Sequence, residues 1–165
     1  MSGTRREGRR SRGYFGVAVY RPKTQVNVGT LWRTSFLYDA AFVATVAKRY
    51  TYQPSDTIKA TNHVPLHHYS DIDDLIAHLP YSCPLIGVEL DDRAVPLPRF
   101  THPPRGLYLL GAEDAGLPPK VLDRCHQVVQ IPGERDWSMN VAAAGSIVMY
   151  DRFAKMSSLR LAVTA

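Results

Sequence analysis

Apolar and polar positions along the chain fall into short β-branched runs separated by stretches with helical spacing. Tyr14–Tyr20 (YFGVAVY) reads as a first strand, followed by a helical segment from about Val28 to Tyr38. Phe42–Ala47 reads as a second strand and Val64–Tyr69 as a shorter one, with a loop between them. Ser70 is placed to cap a helix over Ile72–Leu79, with Asp71, Asp73 and Asp74 in its positive first turn and Pro80 ending it. Pro84–Leu90 and Gly106–Leu110 are nearly continuous apolar runs, the mark of strands covered on both faces and therefore of the sheet centre. Pro96, Pro98, Pro103 and Pro104 make the stretch between those runs irregular, and Pro118-Pro119 open a short helix through Arg124. Val128–Ile131 is the last strand. A final helix runs from Ser138 to about Lys155, with an apolar band broad enough for burial on more than one side. This alternation in 165 residues predicts one three-layer α/β domain with a mostly parallel sheet, spanning residues 14–165.

Composition adds constraints. At 45% hydrophobic and 21% charged residues, with no apolar run long enough to span a bilayer, the chain is not expected to be a membrane protein. No apolar segment follows the N-terminal arginines as a secretory signal requires, so a cytoplasmic location is expected. Cys83 and Cys125 form no C-x-x-C pair and are expected as free thiols. Residues 1–13 carry five arginines against one glutamate, +4 of the formal +5. That segment has too little apolar surface to offset its ordering entropy and is expected to be disordered when free, a tail suited to a polyanion or simply solvated.

Three segments carry candidate chemistry. In Asn27-Val-Gly-Thr-Leu-Trp-Arg33, Gly29 and Arg33 share a helix face, whereas Leu31 lies roughly 200° from Arg33 and can face the core. Alone, this is equally an amphipathic helix with a surface arginine. In Gly111-Ala-Glu-Asp-Ala-Gly-Leu117, two glycines frame Glu113 and Asp114 at the carboxyl end of an apolar strand, where open α/β sheets bind ligands. A tight turn is the plain alternative. No Lys-Ser/Thr follows Gly116 and no G-x-G-x-x-G occurs, which argues against an ATPase or a nicotinamide dehydrogenase. In Ser138-Met-Asn140 at the start of the last helix, either polar residue serves as an N-cap. His67, His68 and His102 lack metal-ligand spacing, so packing or surface roles and no metal are expected; Trp32 and Trp137 read first as packing residues.

Taken together and in this order, the three segments resemble the SpoU/TrmH family of RNA ribose 2'-O-methyltransferases, over roughly residues 14 to 155. The resemblance implies a SPOUT fold with a deep trefoil knot near the C-terminus, a feature no periodicity shows. It also implies S-adenosylmethionine as cofactor, RNA as substrate and a homodimer in which the last helix supplies much of the interface. By motif position, Val88, Gly111, Ile131 and Met139 match the family's cofactor-binding backbone, and Asn27, Arg33, Glu113, Ser138 and Asn140 its catalytic and RNA-facing set. A branched side chain at Gly111 is then expected to block the cofactor's edge without unfolding the chain.

Many members of the family carry a separate N-terminal RNA-binding domain. This chain shows only the arginine tail, so it resembles the minimal class, and transfer RNA is favoured over ribosomal RNA. Ala142-Ala-Ala144 is plainer than in some members of the family. The implied reaction is attack of a ribose 2'-hydroxyl on a sulfonium methyl. Guanidinium is effectively always protonated, so Arg33 is expected to act on phosphate and developing alkoxide charge, with Glu113 orienting it. A knotted methyltransferase acting on a base nitrogen and a catalytically silent RNA-binding protein are the alternatives.

Overall fold

The computed structural model describes residues 13–50, 62–135 and 137–163. Seven strands form one sheet: β1 (Tyr14–Tyr20), β2 (Phe42–Val46), β3 (Leu66–Tyr69), β4 (Leu85–Val88), β5 (Val95–Pro96), β6 (Arg105–Leu110) and β7 (Gln127–Gln130). The order is β3-β2-β1-β6-β4-β7-β5, and every pairing is parallel. Among the described residues, four α-helices accompany the sheet: α1 (Gln25–Leu37), α2 (Ile72–Ala77), α3 (Pro119–Leu122) and α4 (Val141–Val163). The two runs expected at the sheet centre, β4 and β6, lie side by side there.

Strand side chains alternate between faces, and here both faces are dry. Phe15, Val17, Val19, Tyr108 and Leu110 face α1 and α4, packing on Leu31, Val148 and Met149. Ala18, Leu85, Leu107 and Leu109 face the other way, onto Leu75, Val121 and Leu122 of α2 and α3. Gly145 lets α4 approach α1 and β6. A Cβ there would lie 2.9 Å from Leu110 Cδ1 and closer still to Leu31 Cδ2.

Below the sheet, α4 satisfies the carbonyls of the proline-rich connection, which has few strand partners of its own. Arg152 donates to the Pro103 and Pro104 carbonyls at 2.7 and 2.9 Å, and Lys155 to those of Leu97 and Phe100 at 2.6 and 3.1 Å. His102 is buried between Tyr108 and α4, with Nδ1 2.5 Å from the Tyr108 hydroxyl and Nε2 2.8 Å from the Asp151 carboxylate. Desolvation lowers its pKa, despite Asp151, and favours the neutral ring that donates from Nε2 and accepts at Nδ1. Its packing role agrees with the sequence reading. Cys83 and Cys125 are free thiols. No helix among the described residues is long and apolar enough to cross a membrane.

Several boundaries shift for local reasons. Asp71, not Ser70, caps α2: its carboxylate accepts the Asp74 N–H at 2.8 Å, while the Ser70 N–H donates back to Asp74 Oδ2 at 2.7 Å. α4 starts at Val141 rather than Ser138, because Asn140 takes the first free N–H groups of the helix. β5 lies within the stretch read as irregular; a two-residue edge strand tolerates its proline. The arginine tail through Arg12 lies outside the described residues.

Gly145→Val should cost about 1–3 kcal/mol of stability, because the added methyls enter a filled α1–α4 contact. Urea unfolding monitored by circular dichroism measures this.

Candidate active site

All strands being parallel, their carboxyl ends share one edge. The chain runs outward from β1 to β2 and β3 and then crosses to β4, so β1 and its neighbour β6 flank the point where the winding reverses, where ligands enter open α/β sheets. Three loops converge there: residues 21–24 after β1, 111–117 after β6 and 131–140 after β7. A cleft of about 270 Å³ opens between the last two and the end of β4. Val88, Leu110, Ile131, Met139 and Val141 give it apolar walls, while Glu89, Glu113 and Asp114 supply acidic groups.

The 111–117 loop is a closed hairpin turn. The Ala112 N–H donates to the Gly116 carbonyl at 3.2 Å and the Gly116 N–H back to Ala112 at 2.9 Å. Gly116 sits at φ +59°, in left-handed space, and a Cβ there would meet the Glu89 carboxyl carbon at 2.8 Å. Glu89 needs that proximity, since its Oε2 accepts the Leu117 N–H at 2.6 Å. Gly111 faces Gly116 across the turn, with a Cβ only 2.5 Å from the Gly116 Cα. A branched side chain at 111 would therefore break the turn itself, which corrects the expectation of a clean effect on the cofactor's edge.

Glu113 leaves this loop to meet α1. Its carboxylate accepts the Lys23 N–H at 2.9 Å, the Thr24 N–H at 3.1 Å and Asn27 Nδ2 at 2.9 Å. Thr24 makes no side-chain cap and the first turn of α1 holds no acid, so a carboxylate almost ninety residues away supplies the cap. Burial alone would raise the Glu113 pKa. Hydrogen bonds from Asn27, the Lys23 N–H, its own backbone and the Thr24 N–H outweigh that and hold it at about 2. Lys23 also pairs with Asp114.

The network continues without a free choice of orientation. Asn140 Oδ1 accepts the Ala142 and Ala143 N–H groups at 2.9 and 3.2 Å, so its Nδ2 points away from α4 and donates to Asn27 Oδ1 at 3.1 Å. Asn27 must then present Nδ2 to Glu113, which as a carboxylate only accepts. One chain of hydrogen bonds thus joins the 111–117 loop, the start of α1 and the start of α4.

A family profile described as the SpoU rRNA Methylase family matches residues 14–150. The chain belongs to this family. Among characterised proteins, it is 32% identical over 68 residues to the 23S rRNA (guanosine-2'-O-)-methyltransferase RlmB of Acinetobacter baylyi, a match covering 41% of this chain and 27% of RlmB. Among solved structures it resembles the SpoU methyltransferase AviRb from Streptomyces viridochromogenes in complex with AdoMet, with TM-score 0.77 and 21% identity over 88% of this chain and 62% of AviRb. A structure concerned with 2-OH methylation of C/U34 on tRNA matches with TM-score 0.77 and 20% identity, over 88% of this chain and 98% of the other. The SpoU-family chain thus spans about a quarter of RlmB and about three fifths of AviRb.

Within this SpoU-family fold, Val88, Gly111, Ile131, Met139, Glu113 and Ser138 all line the cleft, Asn27 bonds to Glu113, and Asn140 bonds to Asn27. Arg33 stands apart. It is exposed on α1 with no hydrogen-bond or ion-pair partner among the described residues, so Glu113 orients Asn27 rather than Arg33, a correction to the sequence reading. Leu31 faces the core as its angular offset required. Trp32 is a packing residue, donating from Nε1 to the Val64 carbonyl at 2.8 Å. Trp137 is not: it is 83% exposed on the rim of the cleft.

Sequence reasoning missed Glu89 and Lys23. Glu89 breaks an apolar run at the carboxyl end of a central strand, and that position was the available signal; Lys23 acts through its backbone and left none. Among the described residues no group of three or more His, Cys, Asp or Glu is arranged to hold a metal.

Because the Glu113 pKa lies near 2 rather than 4.5, its contribution to stability is complete above about pH 4.5 and is lost as pH falls towards 2. Glu113→Gln should therefore lower stability by about 1 kcal/mol at pH 7, the scale of a lost helix cap, and the gap to wild type should narrow at pH 3. Urea titrations of both proteins at the two pH values check this.

Proposed function

We propose that the chain transfers a methyl group from S-adenosylmethionine to a ribose 2'-hydroxyl of RNA. The observation that carries this reading is the junction of an apolar, acid-edged cleft with the Glu113–Asn27–Asn140 network. The cleft fits the cofactor: Val88, Leu110, Ile131 and Met139 give an apolar slot for an adenosyl group, the Gly111–Gly116 turn leaves backbone accessible at its edge, and Glu89, Glu113 and Asp114 suit a sulfonium cation. Bound there, S-adenosylmethionine supplies an electrophilic methyl group. The AdoMet complex of AviRb and the 2'-O activity named for RlmB support the same assignment.

Val88, Gly111, Ile131 and Met139 hold the cofactor in this reading, and Asn27, Arg33, Glu113, Ser138 and Asn140 serve catalysis. Glu113 is too weak a base to take the hydroxyl proton, since its lone pairs are committed to four donors. It instead fixes Asn27 and the first turn of α1, the helix that carries Arg33. Exposed and without a partner among the described residues, the Arg33 guanidinium can hold the phosphate beside the target ribose and stabilise alkoxide character as the O–H bond breaks. Asn140 ties the start of α4 to Asn27, and Ser138 lines the cleft beside it.

Transfer RNA is the favoured substrate, supported by the match to 98% of the chain concerned with C/U34 methylation on tRNA. The domain organisation proposed is a basic tail over residues 1–13 and a catalytic domain over 14–165, with the family's C-terminal knot. A homodimer accompanies this reading. Ile147, Tyr150 and Phe153 leave one face of α4 apolar and exposed, Tyr150 at 59% and Phe153 at 54%, and Tyr38 and the 73% exposed Leu37 extend it.

Incubation of RNA with the protein and methyl-labelled S-adenosylmethionine, followed by nucleoside mass spectrometry, tests the reaction. Label on the ribose is expected; label on a base, or none despite cofactor uptake by calorimetry, would replace the reading with one of its alternatives. Arg33→Ala should reduce single-turnover methyl transfer by ~100-fold, the scale of a lost charge-stabilising donor, while cofactor affinity stays within a few-fold. Tyr150→Asp should convert a dimer to a monomer in light scattering, because a charge buried in an apolar interface has no partner.

A further inference from the structure

We infer that the carboxyl edge of β1 and β2, through Arg21, Lys48 and Arg49, is a binding track for the RNA sugar-phosphate backbone next to the catalytic centre. This rests on the reading of the chain as an RNA methyltransferase. It concerns residues outside the three motifs and outside the basic tail.

The first support is the distribution of unpaired charge. Many cations elsewhere in the fold are engaged, Lys23 with Asp114, Arg93 with Asp91 and Asp123, Arg124 with Asp73, and Lys155 with Asp151, while Arg33, Arg99, Lys120 and Arg135 lack a carboxylate partner among the described residues, so what sets the track apart is that its cations are neighbours. Arg152 is buried against proline carbonyls. Arg21, Lys48 and Arg49 are exposed and have no carboxylate partner among the described residues, although they sit together at the ends of two paired strands. The Arg21 N–H donates to the Val46 carbonyl at 2.8 Å, which sets Arg21 beside the turn leading to Lys48. Like charges gathered this way repel one another and gain only when a polyanion covers them.

The second support is the backbone. Arg21 and Ala47 leave adjacent strands at φ 48° and 63°, left-handed conformations that residues other than glycine rarely adopt. Side by side on the ligand-bearing edge, each also donates its N–H to the next strand, Arg21 to Val46 and Ala47 to Tyr69, which fixes where the two basic turns begin. The Arg21 guanidinium also rests over the Tyr20 ring, 5.5 Å from its centroid, which limits its wandering.

The third support is continuity with the centre. Arg21 is two residues from Lys23, whose N–H binds Glu113. On the other flank Arg49 precedes Tyr50, whose ring lies 6.0 Å from Trp32 and whose hydroxyl lies 3.7 Å from where a Gly29 Cβ would stand. Gly29 lies one helical turn before Arg33 on the same face of α1. The track therefore borders both Glu113 and Arg33, while the acidic groups cluster in the cleft on the far side of Glu113.

The test uses the full chain and the triple variant Arg21→Ala/Lys48→Ala/Arg49→Ala, with Arg99→Ala/Lys120→Ala as a charge control from other parts of the fold. A fluorescein-labelled oligouridine is titrated by anisotropy over a range of salt concentrations, and cofactor uptake is measured by calorimetry. Each lost phosphate contact on single-stranded RNA lowers the log–log salt slope by about 0.7, so the triple variant should bind at least ~10-fold more weakly at low salt with a slope shallower by about 2. Cofactor uptake and thermal stability should match wild type, and the control should keep the wild-type slope. Superimposable salt dependence for wild type and triple variant overturns the track while leaving the methyltransferase reading in place. A wild type that takes up cofactor yet binds no RNA at any salt overturns both.

Discussion

The site depends on one carboxylate serving as the N-terminal cap of a helix far away in sequence. Glu113 accepts two backbone N–H groups at the start of α1 and the amide of Asn27, so the loops that leave the paired strands β1 and β6 are joined through an anion. An exposed ion pair would contribute little there, but a carboxylate that completes orphaned helix donors is worth more and also directs geometry. The low Glu113 pKa is the same fact seen from the proton's side: every donor that stabilises the anion makes protonation less favourable.

From that anchor the remaining order follows. Because Glu113 only accepts and the N–H groups at the start of α4 only donate, the amides of Asn27 and Asn140 can relay between them in one orientation alone. The loop that bears Glu113 is stiff in turn, since Gly111 and Gly116 let its two sides touch and Glu89 ties Leu117 to the end of β4. A cleft wall, a helix start and a capping loop are thereby set with respect to one another before any ligand arrives. Such preorganisation is what electrostatic stabilisation of a reacting group requires.

Other polar groups of the fold perform a different task. His102, Arg152 and Lys155 are as well bonded as Glu113, yet they close the irregular, proline-rich connection under α4 and lie away from the ligand-bearing edge. Glu89, Glu113 and Asp114, by contrast, stand at the cleft on the ligand-bearing edge. The same parallel topology produces both arrangements, because it sends every strand's following loop to one edge and leaves the opposite edge to structural contacts.

The sequence alone determined the layers. Strand runs without alternation require cover on both faces, and the near-continuous apolar segments at 84–90 and 106–110 became the adjacent central strands β4 and β6. It also fixed which side of α1 is core, through the angular offset of Leu31, and it marked the three segments whose loops meet at the edge. What it left open were contacts made by atoms without a residue-type signature. The cap on α1 uses the N–H groups of Lys23 and Thr24, the need for glycine at 111 comes from the backbone of Gly116, and α4 starts late because Asn140 rather than Ser138 takes its first donors. The partner of Glu113 was also beyond reach: Arg33 offered charge, but Asn27 and the helix start offered donors at hydrogen-bond distance. Periodicity records which side of an element is dry. Only the folded chain decides which donors the Glu113 carboxylate meets, because donors and acceptor come from segments that share no pattern and lie almost ninety residues apart.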